Sequence, residues 1–167
     1  MSYRNKTYVC FDADTDMHYY RLMTAWKEND NIEFDFQNAH DLNNLMPYSS
    51  EETIKDKLRE RINNSKNFIV LVGENTKNLY KFVRWEIEIA LKQNLPIIVV
   101  NLNNKRSIDN ALCPSILKEE LAMHVPFGQK IIQYSLDHWP DWDEKYKQDG
   151  ETGPYLWKDS VYQELGI

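Results

Sequence analysis

Glu86 places a carboxylate in the middle of an apolar helical arc. The stretch Phe82-Val83-Arg84-Trp85-Glu86-Ile87-Glu88-Ile89-Ala90-Leu91 reads as a helix at about 100° per residue. Val83, Ile87, Ala90 and Leu91 then share one side, and Phe82 and Ile89 widen it. Glu86 projects between these edges, whereas Glu88 lies round the helix near Lys92 and reads as solvated surface. A carboxylate facing a core is costly unless it has partners or borders a cleft. A cleft carboxylate among apolar neighbours is the kind whose pKa moves and which does chemistry. The alternative is that Glu86 snorkels out at the boundary of the buried face, and the pattern leaves both readings open.

A second group of carboxylates follows the short apolar run Tyr8-Val9-Cys10-Phe11, in Asp12-Ala13-Asp14-Thr15-Asp16. An apolar strand ending in Asp-x-Asp suits a phosphoaspartyl hydrolase of the haloacid-dehalogenase kind. Asp12 would be its nucleophile, Asp14 its acid and Mg²⁺ its cofactor. Thr15 and Asp16 depart from that pattern, and no later strand ends in paired aspartates. A phosphorylated receiver domain needs an aspartate at the end of its third strand, where Val72-Gly73 stands. The plainer reading is that Asp14 or Asp16 caps the next helix. His18, His40, His124 and His138 show no metal-ligand spacing. There is no glycine-rich phosphate loop, no Ser-His-Asp grammar and no nucleophile elbow.

The elements that must position these residues alternate along the chain. Tyr8 to Phe11 is a strand, and Met17 to Trp26 a helix with Tyr19, Leu22, Met23 and Trp26 on one face. Ile32 to Phe36 alternates as a half-buried edge strand does. A polar loop over Gln37 to Ser50 precedes a helix that runs to about Asn63, with Ser50 as cap and Glu51 and Glu52 in its first turn. Asn67 to Gly73 and Pro96 to Val100 are unbroken apolar runs, as strands covered on both faces are. Between them lies the Glu86 helix, from about Tyr80 to Gln93. In the last third, Leu112 to Met123 reads as a weak helix containing Pro114, and Lys130 to Tyr134 as a fifth strand. The tail carries Trp139, Trp142, Tyr146, Tyr155, Trp157 and Tyr162, too aromatic for a linker. It is expected to pack back on the domain, ending in a helix from Lys158 to Leu165.

Strand and helix at this spacing mean a parallel sheet with helices on both faces. Ligands of such sheets bind outside the carboxyl ends of the strands, where strand order reverses. Asp12, Asp14, Asp16, the 37–50 loop and Gly73-Glu74-Asn75-Thr76 all fall on that rim. The 167 residues fit one domain, with a core over about 6–135 and an extension over 136–167. A net charge of −6 argues against a nucleic-acid backbone or an anionic membrane as partner. No apolar run approaches the roughly 18 residues of a membrane span, and the polar start predicts no secretory signal. Cys10 and Cys113 are expected to be buried reduced thiols in a cytoplasmic protein.

Several of these segments, in order, resemble the bacterial and archaeal TIR-like domains, including the TIR-like component of Thoeris antiphage systems. Tyr8 to Asp12 looks like the first TIR strand, and Asp14-Thr15-Asp16-Met17-His18-Tyr19 like the subfamily's acidic-then-aromatic opening. Phe34-Asp35-Phe36 opens the loop that TIR domains place over their pocket. Ile54 to Ile62 with Ser65, and Phe68 to Gly73 with Thr76, continue the match. Val83-Arg84-Trp85-Glu86-Ile87 looks like the Trp-x-x-Trp/Tyr-Glu-Ile signature, with Leu79-Tyr80 or Phe82 in place of the first tryptophan. Pro96 to Val100 completes a resemblance over about Lys6 to Asn101.

That resemblance implies a three-layer flavodoxin-like fold with a five-stranded parallel sheet in the order 2-1-3-4-5. It implies NAD as a substrate, with no separate cofactor and no metal, cleaved at the nicotinamide–ribose bond by Glu86. It also implies substrate contacts from Phe11, Asp12, Asp14, Asp41, Ser49 and Trp85, with Phe11 or Trp85 stacking on a base. The product is an ADP-ribose, or a cyclic isomer that activates a downstream effector in antiphage defence. The competing expectation is a non-enzymatic TIR module that works by self-association through Trp85, Tyr80 and the aromatic tail.

Overall fold

The computed structural model describes residues 6–28, 35–37 and 50–167. Its elements are β1 (Lys6–Cys10), α1 (Met17–Glu28), β2 (Asp35–Gln37), α2 (Glu51–Asn63), β3 (Asn67–Val72), α3 (Phe82–Lys92), β4 (Ile97–Asn101), β5 (Ala122–Pro126), α4 (Gln129–Gln148), β6 (Pro154–Leu156) and α5 (Asp159–Glu164). All the strands pair in parallel, in the order β2-β1-β3-β4-β5-β6. The chain is therefore α/β and flavodoxin-like. Strand order turns back between β1 and β3, which makes their carboxyl ends the switch point.

Strand periodicity divides the core into two layers. Val9, Ile69, Leu71, Ile98 and Val100 face one side, with Met23 of α1, Ile132 and Trp139 of α4 and Tyr162 of α5. Tyr8, Cys10, Phe68, Val70, Ile97 and Val99 face the other, with Leu58 of α2 and Ile87 of α3. The unbroken apolar runs of β3 and β4 follow directly, since both faces of those strands are buried. Helix α2 starts as its sequence predicts: Ser50 Oγ accepts from Thr53 N at 3.2 Å, with Glu51 and Glu52 in the first turn.

The carboxyl-terminal third differs from expectation. Lys130 to Tyr134 is not a strand but lies in α4, which buries Ile131, Ile132, Ser135, Leu136 and Trp139 at helical spacing. The fifth strand is Ala122–Pro126, inside and just beyond the stretch that reads as a weak helix; only the 3-10 turn Ser115–Leu117 after Pro114 is helical there. His124 within β5 disguises its apolar run. The expected boundary at 135/136 falls inside α4, and a sixth strand joins the sheet beyond β5. The closing helix is present as α5. Trp157 Nε1 donates to Ser135 Oγ at 2.8 Å and ties the tail to α4. Arg106 lies over the Tyr162 ring, 4.0 Å from its centroid, and ties the loop after β4 to α5.

Cys10 and Cys113 are free and buried. Among the described residues no helix is long and apolar enough to cross a membrane. Ile32 to Phe34 lie outside the described residues; what is described of the second strand, β2, is at the edge of the sheet.

Candidate functional site

Helix α3 begins at Phe82, after a separate 3-10 turn over Thr76–Asn78, so Glu86 stands in its second turn. Glu86 is 6% exposed, among Val83, Ile87, Ile89 and Ala90 on the same buried face. It faces β1, where the Tyr8 hydroxyl and the Cys10 thiol lie beside its carboxylate. Burial pushes the Glu86 pKa up to about 7, and Cys10 and Tyr8 hold it down against a larger rise. Burial first and Glu86 second push both Tyr8 and Cys10 well above their ordinary values, so the phenol and the thiol keep their protons. The snorkelling alternative is thereby set aside: the carboxyl group is inside.

The acidic turn after β1 is built differently. Asp12 is 2% exposed, and both its oxygens are engaged. Oδ1 accepts from Asp14 N at 3.0 Å, and Oδ2 accepts from Thr15 Oγ1 at 2.7 Å and Asn75 Nδ2 at 3.3 Å. This is an Asx turn pinned to the loop after β3. Asp16 is buried directly over Gly73, where a Cβ would meet Asp16 Oδ2 at 2.4 Å. Burial and the neighbouring Asp12 carboxylate raise its pKa. Thr76 Oγ1 accepts from Gly73 N at 2.9 Å and completes the join. The two loops at the switch point are thus fastened side by side.

The structure brings together some of the expected residues and separates others. Glu86 shares its cell with Tyr8 and Cys10, which in the sequence are a strand residue and a buried thiol with no assigned link to Glu86. Their position at alternate places of β1, on the face that α3 covers, was the available signal. Phe11 is not brought to Glu86: it lies on the opposite face of the sheet and stacks on Tyr20 of α1, with centroids 5.0 Å apart and planes at 11°. Strand parity is the reason, since Val9 and Phe11 point away from Tyr8 and Cys10. Asp14 is exposed on the rim. Trp85 is half-buried at the outer edge of α3, edge-on to Phe82 at 5.4 Å, with Lys55 Nζ 4.6 Å and Lys81 Nζ 5.7 Å from its ring centroid. Asp41 and Ser49 lie outside the described residues. Among the described residues no three His, Cys, Asp or Glu side chains converge as a metal site requires.

A family model described as Thoeris protein ThsB, TIR-like domain, matches residues 8–107. The chain belongs to this family. The matched part of the ThsB-type TIR-like domain runs from within β1 to the loop after β4 and includes the fastened switch-point loops and Glu86. The segment β5, α4, β6 and α5 lies beyond the match and completes the sheet.

Proposed function

We propose that this TIR-like domain consumes NAD, cleaving the nicotinamide–ribose bond, and that Glu86 is its catalytic carboxylate. The observation that supports this most is the placement of Glu86, buried in the second turn of α3 with its pKa raised toward neutrality. Carboxylates so perturbed cluster at functional sites. Nicotinamide is bonded as a cationic pyridinium, takes the bonding electron pair and leaves neutral, so it needs no general acid. Its departure leaves an oxocarbenium-like ribose, as in glycoside hydrolysis. A carboxylate held against that ribose stabilises the developing charge, and does so more strongly out of water. Exclusion of water favours attack by a hydroxyl or ring nitrogen of the substrate itself, giving a cyclic product, over hydrolysis to ADP-ribose. In antiphage defence such a product serves as the signal to a downstream effector.

Trp85 and Asp14, both reachable from solvent, are proposed to contact the rest of the dinucleotide, together with Asp41 and Ser49; Asp12 holds the turn that presents Asp14. The ionised form of Glu86 does the work, so turnover should rise with pH through about 7. The test is NAD turnover by purified protein beside Glu86→Gln, with products resolved by mass spectrometry. Nicotinamide release that depends on Glu86 supports the assignment, and turnover retained in Glu86→Gln overturns it.

One observation favours a second role. Tyr80, at the mouth of α3, is 70% exposed, and Trp142 on α4 is 42% exposed. Large exposed aromatics suit self-association. A light-scattering mass that grows with concentration, with no turnover at any assembly state, would make the domain an interaction module instead.

A further inference from the structure

We propose that Tyr8 and Cys10 of β1 are positioning residues for Glu86, donating hydrogen bonds that fix the rotamer of its carboxylate once it is ionised. This rests on the assignment of Glu86 as the catalytic carboxylate. The geometry has four parts. Tyr8 and Cys10 are fully buried on the sheet face that α3 covers. The Tyr8 ring cannot swing freely, because it stacks on Phe68 across the β1–β3 pair, with centroids 5.5 Å apart and planes at 1°. Its hydroxyl is buried and, among the described residues, has the Glu86 carboxylate as the one side chain it can serve. The Cys10 thiol points at α3 one turn before Glu86, donating to Val83 O over a long 4.0 Å, a weak bond that it can exchange for the charged carboxylate beside it.

A buried hydroxyl with no well-made hydrogen bond is costly, and placing it beside a carboxylate offsets that cost when the carboxylate carries charge. A neutral Glu86 asks little of its neighbours. An ionised Glu86 in an apolar cell needs donors, and a phenol and a thiol that keep their protons supply two. Charge-assisted hydrogen bonds are the strong ones. They would hold both oxygens in one orientation while positive charge develops on the substrate. Among the described residues, the titratable groups that face Glu86 are Tyr8 and Cys10 from β1. Arg61 of α2 stands beyond Tyr8 and acts on the phenol rather than on the carboxylate.

Tyr8→Phe keeps the ring stack and removes the donor; Cys10→Ala removes the other, and Cys10→Ser restores a donor. The experiment follows the δ-carbon of Glu86 by NMR in protein labelled with [δ-¹³C]glutamate, across pH, beside kcat and KM for NAD. Thermal unfolding confirms that each variant is folded. In Tyr8→Phe the Glu86 titration should move up by about one pH unit, with the alkaline rise of kcat moving alike. At neutral pH kcat should fall about tenfold with KM little changed. Cys10→Ala should shift the titration in the same direction, and Cys10→Ser should reverse it. A Glu86 titration unmoved in both Tyr8→Phe and Cys10→Ala overturns the proposal, as does a KM effect with kcat intact. If Tyr8→Phe does not fold, the Cys10→Ala and Cys10→Ser pair decides alone. Turnover retained in Glu86→Gln would sink the catalytic assignment instead, and the titration would still report whether the two donors hold the carboxylate.

Discussion

Glu86 carries a stability cost that its removal should reveal. Its carboxyl group titrates at about 7 in the folded protein against an ordinary 4.5. Folding therefore holds a proton that the unfolded chain has lost, and stability falls as pH rises from 4.5 to 7. Glu86→Gln should be as stable as the parent near pH 4.5 and more stable above pH 7, by up to about 3 kcal/mol. Denaturant melts at pH 4.5 and 8 check this; equal differences at both pH values would contradict it. Gly73 makes the opposite kind of demand, since a Cβ there meets Asp16 Oδ2 at 2.4 Å. Gly73→Ala should cost about 1–3 kcal/mol, and adding Asp16→Ala should recover most of it. A double-mutant cycle without coupling would show that the two loops are not joined through this contact. At this scale the sequence showed Glu86 through helical period alone. It did not show the cell around it, because Tyr8 and Cys10 satisfy a strand pattern completely and their chemistry appears only once α3 lies across them. Phe11, which the family resemblance implies as a substrate contact, lies on the other side of the sheet from Glu86, where the two-residue strand period sends it.

Among the elements, β3, β4, α2 and α3 were legible because each carries a signal that tertiary context reinforces: an unbroken apolar run, a capping serine, an apolar arc. β5 and α4 were not. A buried histidine interrupts the run of β5, and Ile131-Ile132 imitates a strand inside α4. What decides α4 is the spacing of Ile131, Ser135, Leu136 and Trp139, which a five-residue window cannot hold. Trp139 is 1% exposed and packs near Tyr146, Tyr155 and Trp157, with centroids at 6.1, 5.8 and 6.4 Å. It is thus the residue on which α4 and the tail meet. Trp139→Ala should destabilise the fold by about 3–5 kcal/mol, read by chemical denaturation. A loss below about 1 kcal/mol would mean that the tail packs independently of α4.

For the molecule as a whole, two buried groups oppose one another across pH. Burial lowers His124 to about 4 from an ordinary 6.5, so stability falls as pH drops from 6.5 to 4. Glu86 has the reverse slope between 4.5 and 7, and Asp16 and Asp143, also raised by burial, act with Glu86. His124 and Glu86 nearly cancel between pH 4.5 and 6.5. His124→Leu should leave the Glu86 slope uncovered, so that the variant gains more stability than the parent on acidification from pH 6.5 to 4.5. A pH–stability curve for the variant that is parallel to the parent's would refute the opposition. The sheet itself ends on β6, three residues that begin with Pro154. An outer strand this short, lacking one amide, offers little ladder for another chain to extend. Without residues 149–167 the edge would pass to β5, a longer and almost wholly buried strand, and the truncated protein should precipitate through strand-to-strand growth, seen as turbidity and thioflavin binding. β6 thus works as a stopper: by ending the ladder it should keep copies of the domain apart, where the sheet it closes would otherwise be open to growth.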